Sequence, residues 1–241
     1  MDNLDDVTKL PDDFDGTVRL FPLPELVVFP HAMQPLHIFE PRYCEMLTES
    51  LAADRLIGMS TLTGGIPAST KEHSPIASTV CIGKIISHSE VDGDKHNILL
   101  VGTQRAKIVR ELDAGRPFRI AKVEVMEDIY PPAGAGRRRL LKAKLLEAFS
   151  DIIPTTATVQ KNLHELMAGQ MGLGPITDII SYTLPFAVES KLRLLAEANV
   201  DARAQELIEL LKSGNIQLHS VASPENAAAD NERFPPPFSL N

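Results

Sequence analysis

The spacing of apolar residues changes once along this chain, near residue 131. Between residues 18 and 126, apolar and β-branched residues form short runs that Gly, Pro and Asp interrupt, which is typical of strands. After "YPPAGAG" they recur about every 3.6 positions, as Leu141, Leu145 and Phe149 do, which is typical of amphipathic helices. Strands followed by helices, without alternation of the two, predict an α+β fold. We therefore predict a β domain over residues 17–130 and a helical bundle over residues 131–220.

The strand-forming half predicts a strongly bent sheet or small barrel, because its short strands have almost no helices between them. The turn "VDGDK" predicts a tight antiparallel hairpin. Prolines in "VRLFPLPELVVFP" place its two apolar pieces at sheet edges or at bulges. The predicted strands lie in "VRLFPLPELVVFP", "IGMSTL", "TVCIGKIISHSE", "HNILLVG", "AKIVREL" and "FRIAKVEVMED". In the last of these, strict alternation predicts one drier face.

One helix is predicted inside the β half, over "PRYCEMLTESLA", where Tyr43, Met46 and Leu47 share a helical face. In the second half, Asp201 is a plausible N-cap for the last helix and Gly214 a plausible stop. The helices of the bundle are predicted in "RRRLLKAKLLEAFSDII", "VQKNLHELMAGQMG", "ITDIISYTL", "VESKLRLLAEAN" and "ARAQELIELLKS".

The two ends and one internal segment have no regular apolar spacing. Residues 1–16 are acidic and predict a solvated arm, and residues 221–241 are polar and Pro-rich and predict a flexible tail. Residues 63–78 contain mostly small and turn-forming residues, so we expect a long exposed loop there.

The net charge of −8 argues against a protein that coats nucleic acid or anionic lipid, since such binding needs clustered Lys and Arg. No signal sequence and no apolar stretch near the roughly 20 residues of a membrane span is present. We therefore expect a cytoplasmic protein without a membrane partner. Cys44 and Cys81 lie outside any C-x-x-C, so we expect them to be reduced and buried.

Motifs for catalysis or cofactor binding are absent from the sequence. His31, His37 and Glu40 are close in sequence, but prolines between them would require an irregular path for zinc binding. "HELMA" has Ala168 where a zincin needs its second histidine, and neither a phosphate-binding loop nor a G-x-S-x-G turn occurs. A lowered pKa of Cys44 beside a helix N-terminus is an alternative to a core thiol. We predict no cofactor, no metal and no catalytic residue.

Several motifs together resemble the N-terminal domain of the ATP-dependent Lon proteases. They are "LFPLPELVVFP", "QPLHIFEPRYCEML", "IGMSTL", "CIGKI", "ILLVGTQRAKIV" and "FRIAKVEVMED", in this order, followed by the helical "ITDIISYTLPFAVESKLRLLAEANVDARAQELIELL". Two positions depart from the pattern, His31 where glycine is common and Ala106 where an aromatic residue is common.

The resemblance implies a PUA-like, six-stranded, strongly bent antiparallel sheet or pseudo-barrel with one helix, followed by a C-terminal helical bundle. In Lon this domain recognises protein substrates and contributes to assembly, and an AAA+ motor and a Ser–Lys peptidase domain follow it. Since neither is found here, we expect a stand-alone, non-enzymatic module that recognises a protein or unfolded polypeptide, in proteolysis or protein quality control.

The corner "FEPRY" has a structural explanation. Pro41 suits the first turn of a helix, Glu40 could cap its free amides, and Phe39 could staple the turn to the core. Arg42 is expected to pair with a carboxylate or with strand-end carbonyls, beside Tyr43. We therefore predict that this corner holds the fold and carries no reaction.

A polypeptide-binding surface is predicted around the sheet edge near "ELVVFP" and in an apolar groove between sheet and bundle. The residues proposed for it are Leu26, Val27, Val28, Phe29, His31 and Met33. An RNA-binding module is the first alternative, although the acidic charge and 5% aromatic content oppose it and nucleic acid is not expected. A hydrolase using Cys44 or a serine is the second. The identity of the partner and a weak homo-oligomer are left open.

Overall fold

The computed structural model describes residues 9–64, 74–91, 94–152, 169 and 171–214. Strands occupy the first part and helices the second, which confirms the predicted α+β fold. The strands are β1 Thr17–Leu23, β2 Met33–Ile38, β3 Leu56–Thr61, β4 Thr79–Val91, β5 Lys95–Leu112 and β6 Arg119–Met126. The helices are α1 Pro41–Ala52, α2 Arg138–Ser150, α3 Leu173–Thr183, α4 Val188–Ala196 and α5 Val200–Lys212, with a 3-10 helix at Pro132–Arg137 before α2.

The six strands form one sheet in the order β2-β5-β4-β3-β1-β6, and β5 also pairs with β6. This second pairing of β5 closes five of the strands into a ring, to which β2 is attached as an edge. β1 and β3 run parallel, whereas the other pairs are antiparallel, so the sheet is mixed and not wholly antiparallel as expected. The parallel pair arises because the chain passes through β2 and α1 before it returns beside β1, and parallel neighbours need such a crossover.

β5 is a single strand of 18 residues that includes both runs predicted as separate strands. Gly102, the last residue of the first run, is needed for a close approach and not for a turn. A Cβ atom at this position would lie 2.0 Å from the carbonyl oxygen of Phe29. The segment before β2 therefore crosses directly over β5 at a residue without a side chain.

The second apolar run of "VRLFPLPELVVFP" is not a strand. Val27, Val28 and Phe29 have irregular backbone and buried side chains. Glu25 and His31 on either side have φ values of 58° and 65°, which reverse the chain direction locally and prevent a ladder. The expected sheet edge at "ELVVFP" is therefore wrong, and this segment forms part of the core.

The buried apolar residues form two clusters. The larger one is continuous from the sheet to the helices, so that the space between sheet and bundle is filled with side chains such as Met59, Cys81, Ile176 and Ile180. The smaller cluster contains residues of the ring strands: Val18, Leu20, Leu56, Val80, Ile82, Ala106, Ala121 and Val123. Burial of Ala121 and Val123 confirms the drier face predicted for "FRIAKVEVMED".

The predicted ends of α5 are partly correct. Asn199 is its N-cap, because its side-chain oxygen accepts hydrogen bonds from the N–H groups of Asp201 and Ala202 at 3.0 and 3.2 Å. Asp201, predicted as the cap, lies inside the helix and pairs with Arg138 at 2.7 Å. Gly214 follows the helix with φ of 66°, as the predicted stop requires.

Some predictions fall on residues that the structure does not describe. These are the helix in "VQKNLHELMAGQMG" apart from its last residues, the first half of the acidic arm, most of the loop at 63–78 and the tail at 221–241. The domain limits at 17–130 and 131–220 remain predictions.

Candidate functional site

The corner after β2 joins the edge strand to α1. Pro41 is the first helical residue, and Glu40 occupies the N-cap position without a capping hydrogen bond from its side chain. Its carboxylate accepts instead from Nε and Nη2 of Arg42, at 3.1 and 2.8 Å. The Arg42 guanidinium lies 4.5 Å above the ring of Tyr43, whose centroid is 4.5 Å from that of Phe21 in the core. Glu40, Arg42 and Tyr43 thus contact one another in sequence, and the ring of Tyr43 ties the corner to the core.

Phe39 does not staple this corner to the core, as was expected. Its side chain is 60% exposed and its ring centroid lies 5.8 Å from that of His37. Both rings project from the same side of the edge strand, because residues two apart in an extended chain share a face. Phe39 is therefore available for contact with a partner.

Phe39 belongs to a surface that we call the outer face, formed where β2, β5 and β4 lie side by side. Residues directly opposite each other in antiparallel strands project to the same side, so the register defines its members. They are Met33, Pro35, His37 and Phe39 from β2 and its end, Lys95, Asn97, Leu99 and the buried Val101 from β5, and Lys84, Ile86, Ser87, Ser89 and Val91 from β4. Ile86 is the extra residue of a bulge, between the paired Ile85 and Ser87, and has no partner in the register. We assign it to the outer face because its side chain is 38% exposed, whereas the other side of the sheet is packed at Ile85.

The outer face concentrates exposed apolar surface. Among the described residues, eight large hydrophobic side chains are exposed, and four of them lie here: Met33 at 50%, Phe39 at 60%, Ile86 at 38% and Val91 at 38%. Apolar groups gathered on one side of a sheet mark an interaction site more clearly than single exposed residues do.

The opposite side of the same three strands is packed against the larger core, except at His88 and Glu90 near the hairpin, which are exposed. Leu36 and Ile38 of β2, Ile85 of β4, and Ile98 and Leu100 of β5 are all buried there. Side chains that interdigitate in a core keep the strands in one arrangement. The outer face is therefore a surface whose shape is set before any partner arrives.

The free edge of β2 is poorly suited to pairing with another strand. Pro35 has no N–H group, and its carbonyl oxygen accepts a hydrogen bond from Nε2 of Gln34 at 2.7 Å. The carbonyl oxygen of Met33 accepts from the Tyr182 hydroxyl of α3 at 3.2 Å. Groups that an added strand would need are absent or already bonded, which is one way in which proteins protect an edge.

The residues predicted for polypeptide binding are divided by the structure. Val27, Val28 and Phe29 are buried and cannot touch a partner, whereas His31 and Met33 are exposed and Leu26 is partly buried. Of these six, only Met33 lies on the outer face. Ile86, Val91 and Leu99 were missed, since the polar "SHSE" between Ile86 and Val91 shows no dry side and only the register brings the three residues together with β2.

A buried ionic cluster fixes the helices to the side of the sheet that carries the larger core. Arg105 of β5 donates from Nη2 to Asp178 of α3 at 2.6 Å, and from Nη1 to Asp128. Arg203 of α5 donates to both oxygens of Asp128, at 3.0 and 2.9 Å. Burial raises the pKa of Asp178 to about 6, although both arginines oppose the rise.

Groups that could carry chemistry are arranged unfavourably for it. Burial raises the pKa of the Cys44 thiol, with a further contribution from Asp94, and burial also raises that of the core thiol Cys81. The raised pKa of Cys44 argues against the alternative of an activated thiol, because a reactive thiol needs a lowered pKa. Within the described ranges, no three His, Cys, Asp or Glu side chains converge as metal ligands would.

A helix long and apolar enough to cross a bilayer does not occur in the part of the chain that the structure describes.

Comparison with known proteins identifies relatives over most of the chain. The model of the "ATP-dependent protease La (LON) substrate-binding domain" family matches residues 17–213. The Lon protease of Heliobacterium modesticaldum is 24% identical over 196 residues, which are 80% of this chain and 23% of that protein. The Lon protease of Haemophilus influenzae is 24% identical over 201 residues, covering 82% of this chain and 24% of that protein. The chain thus spans about a quarter of the length of these relatives.

Solved structures share the fold. The N-terminal domain of Mycobacterium avium complex Lon protease aligns with a TM-score of 0.64 at 14% identity, covering 82% of this chain and 99% of that one. A Lon N-terminal domain protein from Xanthomonas campestris aligns with a TM-score of 0.56 at 19% identity, covering 80% and 97% of the two chains. The resemblance inferred from "PLHIFEPRY" and the motifs around it is confirmed. The chain belongs to the family of the ATP-dependent protease La (LON) substrate-binding domain.

Proposed function

We propose that this protein is a non-enzymatic module that recognises unfolded or extended polypeptides through its outer face. The observation that carries the proposal is the gathering of four exposed apolar side chains on one side of a three-stranded platform. Membership in a family of substrate-binding domains supports it.

The composition of the outer face suits contact with many sequences. Met33, Phe39, Ile86 and Val91 offer apolar surface, while Ser87, Ser89 and Asn97 between them offer small polar groups. Covering the exposed half of a Met or Phe side chain contributes on the order of 1 kcal/mol. Contacts of this size give weak and reversible binding, which suits a surface that samples substrates before they are handed on.

The proposal also covers where the protein is located and in which process it acts. Relatives of this chain are Lon proteases, and the chain matches only their N-terminal region. We infer a cytoplasmic protein that acts in proteolysis or protein quality control, without a cofactor of its own. Proteins and unfolded polypeptides are its expected partners.

Binding of fluorescein-labelled β-casein, an extended polypeptide, tests the proposal by fluorescence anisotropy. The double variant Met33→Ser/Phe39→Ser should bind on the order of tenfold more weakly, because two apolar contacts are lost. Val109→Ser/Leu140→Ser is the matched control, since both side chains are well exposed but lie away from the outer face. Circular dichroism confirms that each variant is folded. Equal binding by both double variants, or no saturable binding by the wild type, contradicts the proposal.

A further inference from the structure

The charges of the outer face have one sign. Lys84 and Lys95 occupy two of its register positions, and no Asp or Glu occupies any of them within the described residues. Neither lysine forms an ion pair with a described residue. The chain as a whole has 32 acidic residues against 24 Lys and Arg, so a face with cations alone differs from its surroundings.

The two lysines stand near opposite ends of the apolar surface. Lys95 is the first residue of β5, and Lys84 lies opposite Val101, six residues further along that strand. At about 3.3–3.4 Å per residue, the separation along the strands is roughly 20 Å. Ile86 and Leu99 lie between them, with Met33 and Pro35 on the neighbouring strand.

We propose, resting on the proposed function, that the outer face selects extended segments in which apolar residues are bracketed by two acidic residues six positions apart. In an extended segment, positions 1, 3, 5 and 7 share one side and cover about 20 Å. The two carboxylates then meet Lys84 and Lys95, while the apolar side chains at positions 3 and 5 pack on Ile86, Leu99 and their neighbours. A segment with cations at both ends meets only like charge.

Such a segment lies on the outer face along the strand direction, contacts it through side chains and does not extend the sheet. The edge of β2 lacks a donor at Pro35, and the carbonyl oxygens of Met33 and Pro35 already accept hydrogen bonds. Recognition by strand addition would depend on those backbone groups. Recognition across the outer face depends on side chains alone, so the two modes respond differently to a change in the ligand backbone.

Capped, fluorescein-labelled heptapeptides DSFSFSD, NSFSFSN and KSFSFSK test the charge preference by anisotropy at low salt. We expect DSFSFSD to bind about tenfold more tightly than NSFSFSN, since each exposed ion pair contributes roughly threefold, and KSFSFSK to bind most weakly. The difference should shrink when salt screens the charges. The double variant Lys84→Gln/Lys95→Gln should lose the preference but retain NSFSFSN, whereas Lys107→Gln, an exposed change at the other end of β5, should retain both.

The outcomes separate this inference from the proposed function. If NSFSFSN binds as tightly as DSFSFSD and still depends on Met33 and Phe39, the charge preference is overturned while polypeptide recognition stands. If neither β-casein nor any of the labelled peptides binds, the proposed function itself fails. N-methylation of the serine amides should leave the affinity of DSFSFSD within twofold, and a large loss would overturn binding across the face in favour of strand addition.

Discussion

Arg105 in β5 donates a hydrogen bond to Asp178 in α3 at 2.6 Å, and the two side chains are only 2% and 1% exposed. The same guanidinium donates from Nε to the carbonyl oxygen of Leu195 in α4 at 3.1 Å. One side chain of the sheet therefore holds two helices of the bundle in place.

Removal of Arg105 should cost far more stability than removal of an exposed arginine. Arg105→Ala leaves Asp178 buried without its nearest cation, and such changes cost about 3–5 kcal/mol. Urea unfolding followed by circular dichroism measures the loss. Arg116→Ala is the control, since Arg116 pairs with Glu49 at 2.8 Å but is 47% exposed, and we expect a loss below about 1 kcal/mol. Similar losses in the two variants would show that the buried pair does not hold the bundle.

The stability of the protein should depend on pH through Asp178. Burial raises the pKa of this carboxyl from an unfolded value near 3.8 to about 6. A raised pKa means that the native state binds the proton more tightly, so this contribution is complete below pH 4 and is lost as the pH rises through 6. It amounts to at most about 3 kcal/mol.

Urea unfolding of the wild type and of Asp178→Asn at pH 4, 5, 6 and 7 isolates this contribution. The free energy of unfolding of the wild type should fall relative to that of the variant as the pH rises from 4 to 7. A difference between the two proteins that stays constant over this range would contradict the raised pKa.

The sequence predicted local structure well and contacts between distant segments poorly. Period and turn residues located α1, the β4–β5 hairpin and the stop at Gly214, because these depend on neighbours along the chain. The pairing of β1 with β6, which the ring requires, and the parallel pairing of β1 with β3 join segments far apart in the chain, which periodicity does not report.

The same limit applies to the candidate site. Met33 and Phe39 were both singled out from the sequence, but for two different roles. The register of β2, β5 and β4 shows that they share one surface with Ile86 and Val91. Apolar character alone pointed also to Val27 and Phe29, which are buried, since hydrophobicity does not tell a core residue from an exposed contact residue.

The close passage of the chain over β5 predicts that Gly102 cannot be replaced. In Gly102→Ala the new Cβ would lie 2.0 Å from the carbonyl oxygen and 2.8 Å from the carbonyl carbon of Phe29, so the backbone of one segment must move. Overpacking of this kind costs about 1–3 kcal/mol or more, measured by urea unfolding. Gly136→Ala is the control, because a Cβ there meets no atom within 4 Å. Equal stability of the two variants would contradict this tight crossing.

Cys44 should react in the native protein, whereas Cys81 should react only after unfolding. Neither thiol should behave as an activated nucleophile. The Cys44 sulfur lies 3.4 Å from the carbonyl oxygen of Asp94, and burial together with the Asp94 charge raises the pKa of its thiol. Since the thiolate is the reactive form, Cys44 should react with Ellman's reagent at pH 7.5 more slowly than free glutathione does. Cys81 is fully buried and should react only when the protein unfolds, which urea in the assay will show.

Cys44→Ser should abolish the reaction of the native protein and leave the reaction of the unfolded protein at one thiol. Faster reaction of native Cys44 than of glutathione would contradict the raised pKa and restore the hydrolase alternative.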